Sequence, residues 1–479
     1  PAATPRAGRT TVDRKQSTER IPEKGEKPLQ ERRTTTQAKR ETMKIIVAGA
    51  GAMGTHLTKL LSAENLDCTL IDADKSRLSA LDSDYDLMTI AAPPTSIKAL
   101  KDAGVNGADL FIAVTPHETT NITCSVLAKA LGAKKTVARI DNFEYLKEDS
   151  PRIFSEIGVD DLIYPEVLAA NDIAKALRMT WVRQRYDIFN GQLVLLAIKM
   201  RASASQILHT PLKDLCGPDD PYHIVAIKRA GETIIPGGMD MIEDQDLAYF
   251  MTTKEYIPYI RKIVGKEAYE DVRNVIIMGG DKAAVRVAHN IPDYMHLKII
   301  EQDEQRCNIL NELIDKSNVM IIHGDGRDMS LLREENIANT QAFVALTGNA
   351  ETNILACLAA KRRGVRKTVA QVENLDYISM AESLDIGTII NKKTIAAGKI
   401  YQMLLDTDVT NVRFLMTSNA DVAEFVATYD SKITRKPVKD LGLPHGVTIG
   451  GLMRDGKGML VSGMTQIKAG DSVMVFSHD

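Results

Sequence analysis

From residue 43 onward, short apolar runs alternate with stretches whose apolar residues recur at helical spacing. The runs at 44–48, 68–71, 110–114 and 136–140 read as strands. Segments opening at Ala52 and Lys75, and the stretch 121–131, read as amphipathic helices. Strand–helix alternation at this spacing predicts a parallel sheet covered on both faces. The period then changes: short β runs at 193–198, 224–227 and 247–251 are punctuated by Gly231, Pro236, Gly237 and Gly238. A second such set lies at 448–452, 459–461 and 472–476, with Gly456, Gly458 and Gly463. Each set predicts a small α+β module. Between sheet and module lie 166–185 and 392–405, with Leu168, Ile173, Leu177 and Trp181 at helical spacing in the first, and both are expected to be amphipathic connecting helices.

The whole pattern occurs twice. Ala113-Val-Thr-Pro-His-Glu-Thr-Thr-Asn121-Ile122 aligns with Ala345-Leu-Thr-Gly-Asn-Ala-Glu-Thr-Asn353-Ile354, and the register holds ungapped through Gly132-Ala-Lys-Lys-Thr-Val-Ala and Gly364-Val-Arg-Lys-Thr-Val-Ala. Pro211-Leu-Lys-Asp-Leu215 likewise recurs as Pro437-Val-Lys-Asp-Leu441. A repeat this long is a domain duplication. The expected fold class is α/β, a tandem duplication of a Rossmann-like parallel-sheet domain followed by a small α+β domain. The expected boundaries are 43–163, 164–268, 269–390 and 391–479, after a basic segment 1–42 too poor in large apolar side chains to order itself. Met43 is the expected start of the folded chain.

The first half carries the clearest chemical signal. The strand 44–48 runs into Gly49-Ala-Gly51-Ala-Met-Gly54 and then a helix. In that context Gly49 permits the tight turn, Gly51 lets a diphosphate approach the backbone, and Gly54 lets the helix sit close to the sheet. Unpaired amides at the helix start then face the anion. Asp72 ends the second strand, where an acid hydrogen-bonds a ribose and repels a 2′-phosphate. The same places in the second half read Gly279-Gly280-Asp281 and, one turn later, Ala284, with Glu301 at the acid position. A carboxylate in place of the middle glycine makes that second site doubtful. Gly324-Asp325 also stands where the first half has Ala92-Pro93.

Composition narrows the function. Sixty Lys+Arg against 63 Asp+Glu give a net charge of -3, without the basic excess of a nucleic-acid binder. No stretch approaches the ~20 apolar residues of a membrane span. Five scattered cysteines suggest neither a disulfide framework nor a zinc site, and fit a reducing, cytosolic compartment. The histidines form no metal-ligand spacing, and His117 is matched by Asn349 in the repeat. No nucleophile motif and no proton donor paired with the glycine loop are visible. A nucleotide site without catalytic chemistry, and no metal, describes a sensor.

These residues together resemble the TrkA family, peripheral nucleotide-binding subunits of bacterial Trk potassium uptake systems. The resemblance spans 43–479 and rests on the Gly49–Gly54 start, the Ala113–Asn121 segment with its repeat, Val137-Ala-Arg139-Ile, and the 439–450 run. It implies two copies of a regulator-of-K⁺-conductance (RCK) N-domain, each followed by a C-domain. It implies NAD(H) or ATP/ADP held in the first half by Gly49, Ala50, Gly51, Ala52, Met53, Gly54, Asp72, Thr115 and Pro116, with Arg139 as phosphate clamp or intersubunit contact. The matching positions of the second half are Gly279, Gly280, Glu301 and Thr347, while Gln371 replaces the arginine. It further implies a tetrameric ring on the inner face of the cell membrane, beneath a TrkH/TrkG-type channel subunit. The connecting helices would contribute to subunit contacts. An NAD-dependent oxidoreductase and the regulatory subunit of a different cation transporter are the alternatives.

Overall fold

The computed structural model describes residues 43–63, 66–82, 87–204, 206–217, 220–405, 411–414 and 420–478. The basic segment 1–42 lies outside the described residues. The first six strands are β1 (Lys44–Ala48), β2 (Asp67–Asp72), β3 (Met88–Ala91), β4 (Leu110–Ala113), β5 (Lys135–Arg139) and β6 (Asp161–Ile163). They form one parallel sheet in the order β3-β2-β1-β4-β5-β6. Ile45, Ile46, Val47 and Ala48 are all fully buried, because helices cover both faces of a parallel sheet. The order reverses between β1 and β4, which opens a crevice at their carboxyl ends.

The next five strands are β7 (Gln184–Ile188), β8 (Leu193–Lys199), β9 (Tyr222–Arg229), β10 (Glu232–Ile234) and β11 (Leu247–Thr252). They make an antiparallel sheet ordered β10-β9-β11-β8-β7. The second half repeats the plan with β12 (Asn274–Met278), β13 (His296–Glu301), β14 (Val319–His323), β15 (Ala342–Ala345), β16 (Lys367–Gln371) and β17 (Thr388–Ile390), in the order β14-β13-β12-β15-β16-β17. It closes with β18 (Asn411–Phe414), β19 (Ala420–Val426), β20 (Val447–Arg454), β21 (Lys457–Leu460) and β22 (Ser472–His478), ordered β18-β19-β22-β20-β21. Matched strand by strand, the two antiparallel sheets have the same topology, so the duplication reaches the small modules.

The two halves are interlocked. The first connecting helix, Pro165–Leu177, follows the first parallel sheet in sequence but packs on helix Lys282–Asn290 of the second half. Its Ala169, Ala170, Ile173 and Leu177 belong to the same buried cluster as Val275, Ile277 and Val287. The second connecting helix, Lys392–Leu405, reciprocates. Its Ala396, Ala397, Ile400 and Tyr401 are buried with Leu57 and Leu61 of helix Ala52–Ala63. The small modules also meet: Phe476 and Met474 share a core with Leu193 and Leu195. Gln192 there donates to the Gly456 carbonyl at 2.5 Å and accepts from the Gly458 amide at 2.7 Å.

One expectation is corrected. The first connecting helix ends at Leu177, so Trp181 lies beyond it and Arg185 is already in β7. The Arg183 amide donates to the Ala197 carbonyl of β8, and Trp181 is buried in the core of the first small module. Sheet pairing and that core capture the segment, which overrides its helical periodicity. Among the described residues no helix is long and apolar enough to cross a membrane.

Candidate functional site

The glycine loop of the first half sits at the crevice between β1 and β4. Gly49 has φ +112°, and a Cβ there would lie 2.9 Å from the Thr115 nitrogen. The turn therefore requires glycine twice over, for its backbone angle and for the approach of the β4 loop. A Cβ on Gly54 would lie 1.8 Å from the Gly49 carbonyl oxygen, so the helix can start this close to the strand only without one. Gly51 differs from both: a Cβ there would meet nothing within 4 Å. Its lack of a side chain answers no need of the protein's own packing and leaves a bare stretch of backbone facing open space.

Asp72 and the loop are joined directly. Asp72 Oδ2 accepts from the Ala50 amide at 2.6 Å, and Oδ1 accepts from the Asp74 amide at 2.8 Å. Each carboxylate oxygen keeps a lone pair for a further donor. The Thr55 amide is bonded to the Gly51 carbonyl, so the helix's own ladder begins there, and the preceding amides of Ala52, Met53 and Gly54 are the orphan donors of the helix start.

The other wall is the loop after β4, and its shape is set by Asn121. This buried side chain accepts from the Thr115 amide at 2.8 Å and the Thr115 hydroxyl at 2.7 Å. It donates to the Thr115 carbonyl at 3.0 Å and the Arg139 carbonyl at 2.9 Å. Three of the four bonds of its amide go to backbone that frames the crevice, and the fourth holds the Thr115 hydroxyl. Thr115 is buried, whereas Pro116 and His117 stand exposed at the start of helix Glu118–Ala130. Arg139 ends β5, joined to the Thr115 loop through its carbonyl. Thus Gly49, Ala50, Asp72 and Thr115 are brought into contact, with Gly51, Ala52, Met53 and Gly54 on the same turn.

The second half reproduces this frame with different occupants. Glu301 Oε2 accepts from the Gly280 amide at 2.7 Å and Oε1 from the Asp303 amide at 2.9 Å. Asn353 holds Thr347 and Gln371 as Asn121 holds Thr115 and Arg139, with bonds of 2.6–3.1 Å. Gly279, Gly280, Glu301 and Thr347 line a cleft of about 440 Å³ that also takes in Gly324, Asp325, Arg306 and Arg327. Asp281 caps the helix Lys282–Asn290, accepting from the Ala284 amide at 2.9 Å, so the protein's own carboxylate occupies one of the donors that an anion would use. Burial pushes that carboxyl upward, opposed by Lys392, whose Nζ lies 3.6 Å away between Asp281 and Glu166.

Three parts of this arrangement escaped the sequence reading. Asn121 and Asn353 were visible only as repeat identities, although a threonine followed six residues later by asparagine, in both halves, was the available signal. Arg306, which donates to the Gly280 carbonyl at 2.7 Å, lies on a helix with nothing local to mark it. The Lys392–Glu166–Asp281 cluster joins residues from both connecting helices and the second loop, and no linear pattern announces it. Cys124 and Cys357 are buried, and burial pushes both thiols up to about 12.

Comparison with known proteins agrees with the geometry. The TrkA-N domain model matches residues 45–165 and again 275–392, and the TrkA-C domain model matches 422–478. The Trk system potassium uptake protein TrkA of Vibrio alginolyticus is 30% identical over 441 residues, covering 91% of this chain and 95% of that protein. The protein of the same name from Halomonas elongata is 28% identical over 449 residues, covering 91% and 96%. Among solved structures, the GsuK RCK domain superposes with a TM-score of 0.56 at 14% identity, covering 92% of this chain and 93% of that one. The GsuK channel bound to NAD gives the same TM-score, identity and share of this chain, with 78% of that chain covered. The fold is thus that of tandem RCK domains, and the chain belongs to the TrkA family.

Proposed function

We propose that this chain is the cytosolic, nucleotide-binding regulatory subunit of a Trk-type potassium uptake system. It would sit peripherally on the inner face of the bacterial membrane, beneath a TrkH/TrkG-type channel subunit, in a tetrameric ring. Its part is to sense and not to catalyse. The observation that carries this reading is the empty space in front of Gly51 in a turn whose other two glycines are demanded by packing.

NAD(H) or an adenine nucleotide fits that frame. The diphosphate would rest against Gly51, Ala52 and Met53, where helix-start amides and the helix dipole favour negative charge. Asp72 would accept from ribose hydroxyls with its remaining lone pairs, and would repel the extra phosphate of NADP(H). Thr115 and Pro116 would bound the crevice, and Arg139 lies at the carboxyl end of β5, where a guanidinium can clamp a phosphate. The first half is the stronger site, because Asp281 places a capping carboxylate at the matching point of the second.

The interlocked helices support a route from site to channel. The helix that receives the diphosphate, Ala52–Ala63, is packed on the second connecting helix, which leads to the second small module. Displacement of one helix start is therefore felt by the other half's connection. A nucleotide moves such an equilibrium only by its differential affinity for two conformations. About 5.5 kcal/mol takes a population from 1:99 to 99:1, shared among the sites of a ring.

The test is reconstitution of the full chain with a TrkH/TrkG-type channel subunit in potassium-loaded vesicles. Flux should change on adding ATP, ADP or NADH, and G51D should remove the response while the chain still co-sediments with the channel. Flux indifferent to every nucleotide, or redox turnover of NADH by the chain, would overturn the reading.

A further inference from the structure

A second cavity lies away from both glycine loops, between the first small module and the second parallel sheet. It measures about 350 Å³ and is lined from four places: the turn after the first connecting helix, β8 and its end, the segment after helix Ile257–Ile263, and the stretch from helix Ala350–Arg362 into β16. Among the described residues that line it, seven are Lys or Arg and none is Asp or Glu.

Three of these cations, Arg183, Arg201 and Lys361, converge on one carboxylate, Asp385, with Lys361 Nζ 2.9 Å from Oδ2. The other four have no carboxylate partner at ion-pair distance among the described residues. Lys266 is buried, with Nζ 3.2 Å from the Tyr269 hydroxyl and 4.7 Å from that ring's centre. Arg366 is exposed and lies over the same ring at 5.1 Å. Lys199 donates to the Gln245 carbonyl. Lys367, also buried, donates to the Val182 carbonyl at 2.7 Å, the Arg183 carbonyl at 3.2 Å and the Thr388 hydroxyl at 3.0 Å. Neutral acceptors satisfy geometry but not charge. Burial first, then the neighbouring guanidinium groups, hold the Lys199, Lys266 and Lys361 ammonium groups below their usual range. Repulsion among the cations around this cavity, of which Asp385 meets only three, favours the entry of an anion.

We propose that this cavity binds a diphosphate-bearing small anion, bracing the first small module against the second parallel sheet. Planar guanidinium and ammonium donors from separate elements suit the many acceptor oxygens of a diphosphate, and the volume lies within the range of small-ligand pockets. The site is independent of the glycine-loop reading, since it shares no residue with it. The chemistry would be supplied equally by inorganic pyrophosphate or by the diphosphate of a nucleotide.

The test is equilibrium dialysis of the full-length G51D chain, in which the first glycine loop no longer contributes, against inorganic pyrophosphate and in parallel against ADP. Saturable binding is expected, weakened about tenfold or more by R366E, further by K199E/R366E, and largely kept by R366K. Arg366 is exposed, so R366E is expected to fold, which circular dichroism checks. Equal affinities for the two probes would mean that the phosphates alone are read, and tighter ADP binding would add the nucleoside to the same site. Binding unaltered by R366E and K199E/R366E, or no saturable binding of either probe up to millimolar concentration, would overturn the proposal.

Discussion

Three glycines in one six-residue turn have three different physical roles, and substitution separates them. A methyl group on Gly54 would be driven into the Gly49 carbonyl, so G54A should destabilise the chain by at least ~1–3 kcal/mol in denaturant unfolding. A methyl group on Gly51 meets nothing, so G51A should leave unfolding unchanged within ~0.5 kcal/mol while weakening diphosphate binding. Asn121 is the complementary case. N121A would leave the buried Thr115 amide without its acceptor and two carbonyls without a donor, a cost of ~3 kcal/mol by urea titration. N353A should cost about the same, because its bonds are the same. A further residue-scale prediction concerns acid stability. Burial alone would raise the Asp385 carboxyl, but Arg183, Lys361 and Arg201 outweigh it and hold it at about 2, below its ordinary 3.8. A depressed carboxylate pKa stabilises the fold above the unfolded value and loses that contribution as pH falls through the folded one. Unfolding free energy should therefore drop by ~2 kcal/mol between about pH 4 and pH 2, and D385N should flatten that limb.

At the scale of elements, the parallel sheets, the first glycine loop and the repeat were legible because strand–helix alternation and glycine spacing are local signals. The strand read at 44–48 is β1 with the same bounds, and 392–405 is the second connecting helix to the residue. The first connecting helix was read eight residues too long because Trp181 keeps helical spacing for a different reason, burial in a neighbouring core. What sequence could not supply was the exchange of connecting helices between halves. An apolar helix face states that something covers it, not which half does. That exchange yields its own prediction. Ile173 precedes the second half by a whole domain yet is buried in its core, so I173A should cost ~2–5 kcal/mol and speed amide exchange in β12 and β13 before β1 and β2.

At the scale of the whole molecule, duplication has let the halves diverge within one frame. Both keep an acid on the glycine-loop amide and an asparagine on the β4-type loop. Only the first keeps bare backbone where a diphosphate would lie, while the second caps its helix with Asp281 and ties it to Lys392. With the small modules stacked and the connecting helices crossed, the halves share buried surface through which a shift in one would bear on the other. The proposed division of labour is a strong sensing site in the first half and a structural partner in the second. Calorimetric titration of the intact wild-type chain, of G51D and of K199E/R366E with ADP and NADH addresses this most directly. The account predicts one tight site per chain that G51D removes and K199E/R366E leaves intact, any ADP binding that G51D retains being the kind K199E/R366E weakens, whereas two equally tight sites, or a tight affinity that G51D leaves unchanged, would contradict it.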